Sequence, residues 1–282
     1  MRKALLFGFL AVSLCAAESP LDRARLLYSR ADYKASLEAL RAVTEDSAAL
    51  HALAGQNYFM LGEQKRASEA FQKAVREDPG NSNYYLWLGR SYGRRAEMSN
   101  PFSAMGYASK ARQNFEKALD LDPKNSEAIN DLFEYYLEAP GVLGGGLNKA
   151  ANIADRIDKL DPIEGHYAQA RLAEKQKEFH SAEQHLRRAV DLAPREIGRF
   201  VDLAKFLANQ GRFDESDAVF ASAERINPNS PKLLFARASS YIHHRRKLDT
   251  ARDLLKRYLA ASLTPDDPPR SEAQKLLTQV GG

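Results

Sequence analysis

The chain has 282 residues, of which 28% are charged and 44% hydrophobic, and this composition excludes a chain that is disordered throughout. The formal net charge of +4 includes Arg2 and Lys3 at the N-terminus, and the remaining charges do not form the clustered basic stripe of nucleic-acid-binding proteins. We therefore expect no nucleic-acid partner.

The N-terminal segment has the pattern of a secretory signal peptide. Residues 1–17 read MRKALLFGFLAVSLCAA, with a basic tip, an apolar run and small residues before Glu18. The apolar run is too short to span a bilayer comfortably, and Leu14 argues against lipidation of Cys15, because that processing favours a small residue there. We expect cleavage after Ala17, which removes the single cysteine, and a periplasmic or secreted location in a bacterial envelope. Membrane association is expected only indirectly or through an uncleaved signal.

Five short strings divide the rest of the chain at regular intervals. They are EDPGN, LDPKN, LDPIE, LAPRE and INPNS, with prolines at 79, 123, 162, 194 and 228. Each string follows a run whose apolar residues recur at helical spacing, such as ASEAFQKAVRE or AEQHLRRAVDL. Because proline stops one helix and can begin the next, the pattern predicts a repeated helical unit.

The residues within each unit resemble the tetratricopeptide repeat, a unit of two helices. The first match runs through His51, Ala54, Gly55, Tyr58, Gly62, Ala67, Phe71, Ala74 and Pro79. The second runs through Tyr85, Leu88, Gly89, Tyr92, Ala111, Phe115, Ala118 and Pro123, and the third through Phe200, Leu203, Ala204, Gly211, Phe213, Phe220, Ala223 and Pro228. Weaker copies cover 20–47, 126–162, 163–194 and 231–265.

This resemblance implies an all-α, right-handed superhelical solenoid of antiparallel helix pairs, with about seven repeats and a C-terminal capping helix. We expect one solenoid over 18–282, after a signal peptide at 1–17. Its units are expected near 20–47, 48–81, 82–125, 126–162, 163–196, 197–230 and 231–265, and its cap at 269–280. Stacking is required because a single helix pair cannot bury its apolar face. Small residues such as Gly55 and Gly89 let two helices approach closely, and Phe71 and Phe115 fill the space beside them.

Two consecutive units carry insertions, which we expect to occupy the turn between the two helices of each unit. One insertion, around EMSNPFSAMGYAS, has a predicted helix stop and restart at Ser99 or Asn100 and Pro101. The other, APGVLGGGLNK, has glycines suited to positive φ and Asn148 near the start of the next helix. No predicted strand precedes these glycines and Lys149 is wrongly spaced, so the segment does not match a phosphate-binding loop.

Insertions at matching positions lie on the same edge of a solenoid. Phe102, Met105, Tyr107, Val142 and Leu143 are therefore expected at one edge. Two interpretations remain open: these side chains pack on one another as a satellite cluster, or they contact a partner.

The inner face of such a superhelix is the usual ligand groove, and it is lined by first-helix positions that the core pattern leaves free. Those positions are Gln56, Phe59, Met60, Leu86, Arg90, Arg94, Asn130, Glu134, Glu138, Tyr167, Arg171, Lys175, Val201, Lys205, Asn209, Phe235, Ser239 and His243. Aromatic and arginine side chains among them can anchor a peptide or helix. The residues expected to bind a partner are Phe59, Arg90, Arg94, Asn130, Glu134, Tyr167, Arg171 and Lys205, with Phe102 and Tyr107 at the edge.

The sequence contains no motif of catalysis, metal binding or cofactor binding. The six histidines lack the spacing of a zinc helix, no Gly-x-Ser-x-Gly elbow is present, and no cysteine remains after cleavage. We expect no enzymatic activity, metal or cofactor. The favoured hypothesis is an exported scaffold that binds a protein or peptide through the groove and the inserted turns. The alternative is a small-ligand-binding accessory module of an envelope transport or assembly system. The oligomeric state is left open.

Overall fold

A computed structural model describes residues 19–281, which form fifteen α-helices and one 3-10 helix, with no strand among these residues. The signal peptide predicted at 1–17 lies outside the described residues. The first eight helices are α1 (Pro20–Ser29), α2 (Tyr33–Leu40), α3 (Ala48–Met60), α4 (Gln64–Glu77), α5 (Ser82–Glu97), α6 (Pro101–Leu121), α7 (Ser126–Glu138) and α8 (Leu147–Leu160). The others are α9 (Pro162–Gln176), α10 (Phe179–Leu192), α11 (Ile197–Asn209), α12 (Phe213–Ile226), α13 (Pro231–His243), α14 (Leu248–Ala260) and α15 (Arg270–Val280). The 3-10 helix, Gly141–Leu143, lies between α7 and α8. Consecutive helices pack in pairs from α1·α2 to α13·α14, and α15 packs on the last pair. The predicted all-α solenoid is confirmed.

Short polar side chains and prolines begin many of the helices. The side-chain oxygen of Asn125 accepts a hydrogen bond from the Ala128 amide at 2.9 Å, and that of Asn100 accepts one from the Ser103 amide at 3.1 Å. These bonds satisfy amide groups that have no partner inside the helix. Proline occupies the first position of α9 and of α13, where its missing N–H costs nothing.

Glycine sets the distance between the two helices of a repeat at two positions. A Cβ added to Gly55 would lie 2.8 Å from the ring of Phe71, and one added to Gly89 would lie 2.6 Å from the ring of Phe115. Both rings are buried in one core cluster that extends from α3 to α9. The expected close contact between helices is therefore present, with the phenylalanine ring occupying the space that a larger residue would need.

The first insertion lengthens two helices and does not widen the turn, so the expectation that residues around 97–109 occupy the turn is wrong, whereas the predicted helix stop and restart at Asn100 and Pro101 is present. Helix α5 continues to Glu97 and α6 begins at Pro101, which leaves a tight turn over 98–100. Asn100 caps α6 and Pro101 takes its first position. The inserted residues include alanine, methionine and arginine, which favour helix, and this preference prevails over the turn.

The second insertion does form a wide turn. Gly144 and Gly146 have φ values of 86° and 146°, a region that favours glycine. A Cβ on Gly145 would lie 1.9 Å from the carbonyl oxygen of Ala139, so only glycine fits there. The ammonium of Lys149 donates to the carbonyl of Gly144 at 2.9 Å, and the lysine therefore closes its own turn.

The two ends of the described chain meet. We call residues 261–269, which join α14 to α15, the C-terminal strap. The hydroxyl of Tyr258 donates to the carbonyl of Pro268, and Arg270 donates to the carbonyl of Ala261 at 2.8 Å, so the strap is fixed to the last repeat. Ala31, between α1 and α2, packs against the core cluster formed by α13, α14, the strap and α15. The first and last repeats therefore contact each other.

Within residues 19–281, no helix combines the length and apolar character needed to cross a bilayer.

Candidate functional site

The inner face of the superhelix contains a cavity of about 780 Å³. Aromatic side chains from four different parts of the chain form much of its wall: Tyr28, Phe59, Trp87, Phe115 and Tyr135. The second insertion contributes Pro140 and Leu143, and the C-terminal strap contributes Pro265 and Asp266. We call this cavity the groove pocket. Its volume and apolar wall are those of a binding site for a small ligand or for a side chain of a peptide.

Trp87 holds the central wall of the groove pocket in place. It is the only tryptophan of the chain. Its ring stacks on Phe71 with centroids 5.9 Å apart and meets the edge of Phe59 at 5.3 Å. The guanidinium of Arg90 lies over the other side of the indole at 5.0 Å. Aromatic pairs of this kind add stability beyond simple burial, so these contacts help to fix the position of the Trp87 ring.

Carboxylates outnumber basic groups around the groove pocket. Its lining includes two arginines, Arg90 and Arg94, and six acidic residues: Glu97, Glu127, Asp131, Glu134, Glu138 and Asp266. Acidic groups still exceed basic ones when Arg171 and Lys175, which pair with Glu134 and Glu138, are included, so the lining favours a ligand that carries positive charge.

Most of the basic residues on this face are held by acidic residues of the neighbouring repeat. Arg90 on α5 donates to Asp131 at 2.5 Å and to Glu127 at 2.7 Å, both on α7. Arg171 on α9 donates in turn to Glu134 at 2.8 Å. We call these pairs the inter-repeat ladder. Arg90 and Arg171, which are expected to bind a partner, therefore already have carboxylate partners within the protein, and their role in partner binding stays a prediction.

Arg199 continues the inter-repeat ladder and was not expected from the sequence. It lies on α11, its side chain is only 9% exposed, and it donates to Glu164 on α9. Asp202, one turn along α11, accepts a longer contact from it at 3.5 Å.

Burial changes the proton affinity of the carboxylates in the inter-repeat ladder. It raises the pKa of Asp131 and of Glu134, and the nearby arginines offset part of that rise. Burial also raises the pKa of Asp202 to about 6, against the opposing effect of Arg199. Asp202 therefore keeps its charge at neutral pH and takes up a proton in mild acid.

A second, smaller cavity of about 440 Å³ follows along the same face. It is lined by Tyr167, Arg171, Lys205 and Phe206, and it shares Glu138 with the groove pocket. Because Glu138 borders both cavities, the two are adjacent on this face.

The structure divides the predicted site residues into three groups. Phe59, Arg90, Arg94 and Glu134 line the groove pocket, and Tyr167, Arg171 and Lys205 line the second cavity. Asn130 is half-buried on α7 and lines neither cavity. The third group, Phe102 and Tyr107, lies on the first insertion, at the edge of the solenoid where both insertions are located; we call it the insertion edge.

The insertion edge does not form the satellite cluster that was one interpretation. Phe102 is 87% exposed and Val142 is 90% exposed, so neither packs against other residues. Tyr107 instead packs inward: its ring stacks on Tyr92 with centroids 6.0 Å apart, and its hydroxyl accepts a hydrogen bond from Arg95 at 2.5 Å. Leu143 turns into the groove pocket.

Two of the expected groove positions are core residues. Leu86 and Val201 are buried because the adjacent repeat covers them. Conversely, the sequence did not indicate the roles of Trp87 and the C-terminal strap. The single tryptophan was a usable signal, since large aromatic residues concentrate at binding sites.

Comparison with known families identifies the repeat. Two family models, both described as tetratricopeptide repeat, match residues 21–82 and 201–268 in one case and residues 102–125 and 163–196 in the other. Together they account for about two thirds of the chain. The chain belongs to the tetratricopeptide repeat family. Proteins of this family bind proteins or peptides and act as interaction scaffolds.

Solved tetratricopeptide repeat proteins share this fold. A protein from Parabacteroides merdae is 15% identical, with a TM-score of 0.60, and the match covers 94% of this chain and 98% of that one. A thermophilic TPR protein from Thermus thermophilus is 21% identical, with a TM-score of 0.56 and coverage of 67% and 97%. At these identities the likeness shows the fold alone. No curated protein matches the sequence.

Proposed function

We propose that this tetratricopeptide repeat protein is a non-enzymatic scaffold of a bacterial cell envelope that binds a protein or peptide partner in its groove. The observation that carries the proposal is the groove pocket, whose aromatic wall is open to a ligand and bordered by carboxylates. The basic tip and apolar run of residues 1–17 support export. The near balance of charge along the chain supports a partner other than nucleic acid.

The chemistry of the groove pocket favours one kind of segment. Phe59, Trp87 and Leu143 give the pocket an apolar lining that suits a bulky apolar side chain, and the carboxylates of the lining suit a neighbouring lysine or arginine. An aromatic wall also attracts a cation directly. We therefore propose a partner segment that combines a large apolar residue with basic residues.

A small ligand is the second candidate, and a specific observation favours it. The wide turn after α7 and the C-terminal strap both border the groove pocket, which narrows the opening around a volume of about 780 Å³. Volumes in this range are typical of small-molecule sites.

Two glycine substitutions test whether the groove pocket binds a partner or a ligand. Gly93 lines the groove pocket, and a Cβ there meets no atom within 4 Å, so the side chain of Gly93→Leu starts in open space and is expected to occupy part of the pocket. Gly106 on α6 is equally open but lies outside the pocket, which makes Gly106→Leu a matched control. Both changes replace glycine within a helix and raise helix propensity alike.

The experiment is crosslinking in the native cell, followed by identification of the attached molecules for each variant. A partner bound in the groove pocket is lost with Gly93→Leu and kept with Gly106→Leu. Equal capture by both variants would falsify the proposal. In parallel, a thermal-shift screen of metabolites tests the second candidate, which requires a stabilising compound whose effect disappears in Gly93→Leu.

A further inference from the structure

A histidine and two carboxylates converge at the outer end of the second repeat, away from the groove pocket. Asp46 lies just before α3, His51 lies in the first turn of α3, and Glu77 is the last residue of α4. The Nε2 atom of His51 lies 2.8 Å from a carboxylate oxygen of Asp46 and 3.1 Å from one of Glu77. His51 is 8% exposed, whereas the Asp46 side chain is 80% exposed.

A single hydrogen on Nε2 of His51 cannot make a good hydrogen bond to both carboxylates at once. An imidazole carries at most one hydrogen on Nε2 in either charge state. Two carboxylate oxygens therefore face one nitrogen and compete for one hydrogen, although a good hydrogen bond is directed at a single acceptor. Among the described residues, the ion pairs of Asp46 and Glu77 are with His51 only. Two negative charges consequently meet at one buried histidine nitrogen, and no lysine or arginine nitrogen of residues 19–281 lies within 4.0 Å of either carboxylate.

A divalent cation would satisfy all three side chains at once. Ligand atoms about 2.1 Å from one zinc ion are roughly 2.9 to 3.4 Å apart when they are neighbours in its coordination shell. The two distances from Nε2 of 2.8 and 3.1 Å are close to this range, and the three ligand atoms all lie within 4.8 Å of one another. The exposed Asp46 side chain can adjust, and its open side leaves room for water ligands.

We propose that Asp46, His51 and Glu77 bind a divalent first-row cation of the zinc class. One imidazole nitrogen with two carboxylate oxygens is a donor set that suits such ions. The site joins the segment before α3 to the end of α4. A bound cation would therefore connect the first residues of this helix pair to its last residue. The spacing of histidines along one helix predicted no metal site. Glu77 is brought to His51 only by the pairing of α3 with α4, which that spacing does not show.

A second histidine pair provides the control for the test. The Nδ1 atoms of His166 and His185 lie 3.0 Å apart, and this pair does not belong to a three-ligand group in the described part of the chain. His180 is exposed on the surface of α10. Histidines of both kinds can take up zinc weakly and must be distinguished from the proposed site.

The experiment is calorimetric titration of the metal-free protein with Zn²⁺, repeated with Co²⁺ and followed by visible absorption. One zinc per chain is expected, and the affinity falls at least about tenfold in Asp46→Asn, since even an outer partner of a ligand is worth about 10–100-fold. Asp46 is exposed, so this variant tests the site without disturbing the core. His51→Gln and Glu77→Gln abolish the site, while His180→Gln and His185→Gln retain it.

The same titration can overturn the proposal. Absence of stoichiometric binding would do so, and so would equal affinity in the wild type, Asp46→Asn and His51→Gln. Binding that is lost in His185→Gln but kept in His51→Gln would assign the cation to the other histidine pair.

Discussion

The contact between Gly89 and Phe115 yields a stability prediction with an internal control. In Gly89→Ala the new methyl group would lie 2.6 and 2.7 Å from two ring carbons of Phe115 and 3.2 Å from the carbonyl oxygen of Ala111. The Phe115 ring is buried on the side of the helix pair, and the carbonyl belongs to a helix backbone, so the methyl group can fit only if the ring or the backbone shifts. Overpacking of this kind costs about 1–3 kcal/mol.

Gly93→Ala is the matched control, since it lies one turn further along α5 and its Cβ meets no atom within 4 Å. Alanine is favoured over glycine inside a helix by about 1 kcal/mol. This gain applies to both variants and cancels in their difference, so the free energies of unfolding should differ by roughly 1–3 kcal/mol. Gly93→Ala is expected to be more stable than the wild type.

The assay is urea unfolding followed by far-UV circular dichroism and by the fluorescence of Trp87, the only tryptophan. The two signals report on the whole solenoid and on the repeat that contains Gly89. If Gly89→Ala and Gly93→Ala have equal unfolding midpoints, the close contact between α5 and α6 is not the constraint inferred from the structure.

Three further changes test other parts of the fold. The pKa of Asp202 is raised to about 6 in the folded state, so the folded protein binds this proton more tightly than the unfolded chain does. The free energy of unfolding should therefore fall by about 2 kcal/mol as pH rises from about 4 to about 6. Asp202→Asn removes this pH dependence in thermal denaturation, and the exposed Asp249→Asn should leave it unchanged. Arg199→Ala breaks a largely buried ion pair and should lower the free energy of unfolding by about 2–3 kcal/mol, whereas Arg187→Ala, at a half-exposed pair, should lower it by less than about 1 kcal/mol. Similar melting temperatures for the two variants would contradict the role of the inter-repeat ladder. Ala111→Leu adds bulk at a buried helix crossing and should cost about 1–3 kcal/mol, and an unchanged melting temperature would refute the register of that repeat.

The sequence predicted the features that depend on local spacing. Helical periodicity, the repeated prolines and the glycine opposite each phenylalanine are set within about 34 residues, the length of one repeat in this family. The positions of Gly55 and Phe71 therefore agreed with the structure. The wide turn after α7 was predictable for the same reason, because its glycines mark positive φ directly.

Features that depend on contacts between repeats were not predictable from spacing. The partner of Arg90 is Asp131, 41 residues away, and nothing in either local pattern links them. A first-helix position that faces the groove in isolation, such as Leu86, is covered once the next repeat stacks on it.

The contact between the first and last repeats has a mechanical consequence. A solenoid whose repeats contact only their neighbours can extend elastically and can unfold stepwise from either end. Here Ala31 packs against the cluster that holds the C-terminal strap, and Arg94 on α5 lies 3.5 Å from Glu272 on α15. Unfolding of either end therefore removes contacts from the other end, and the two ends are expected to unfold together. Residues far apart in the chain should then protect one another's amides from hydrogen exchange.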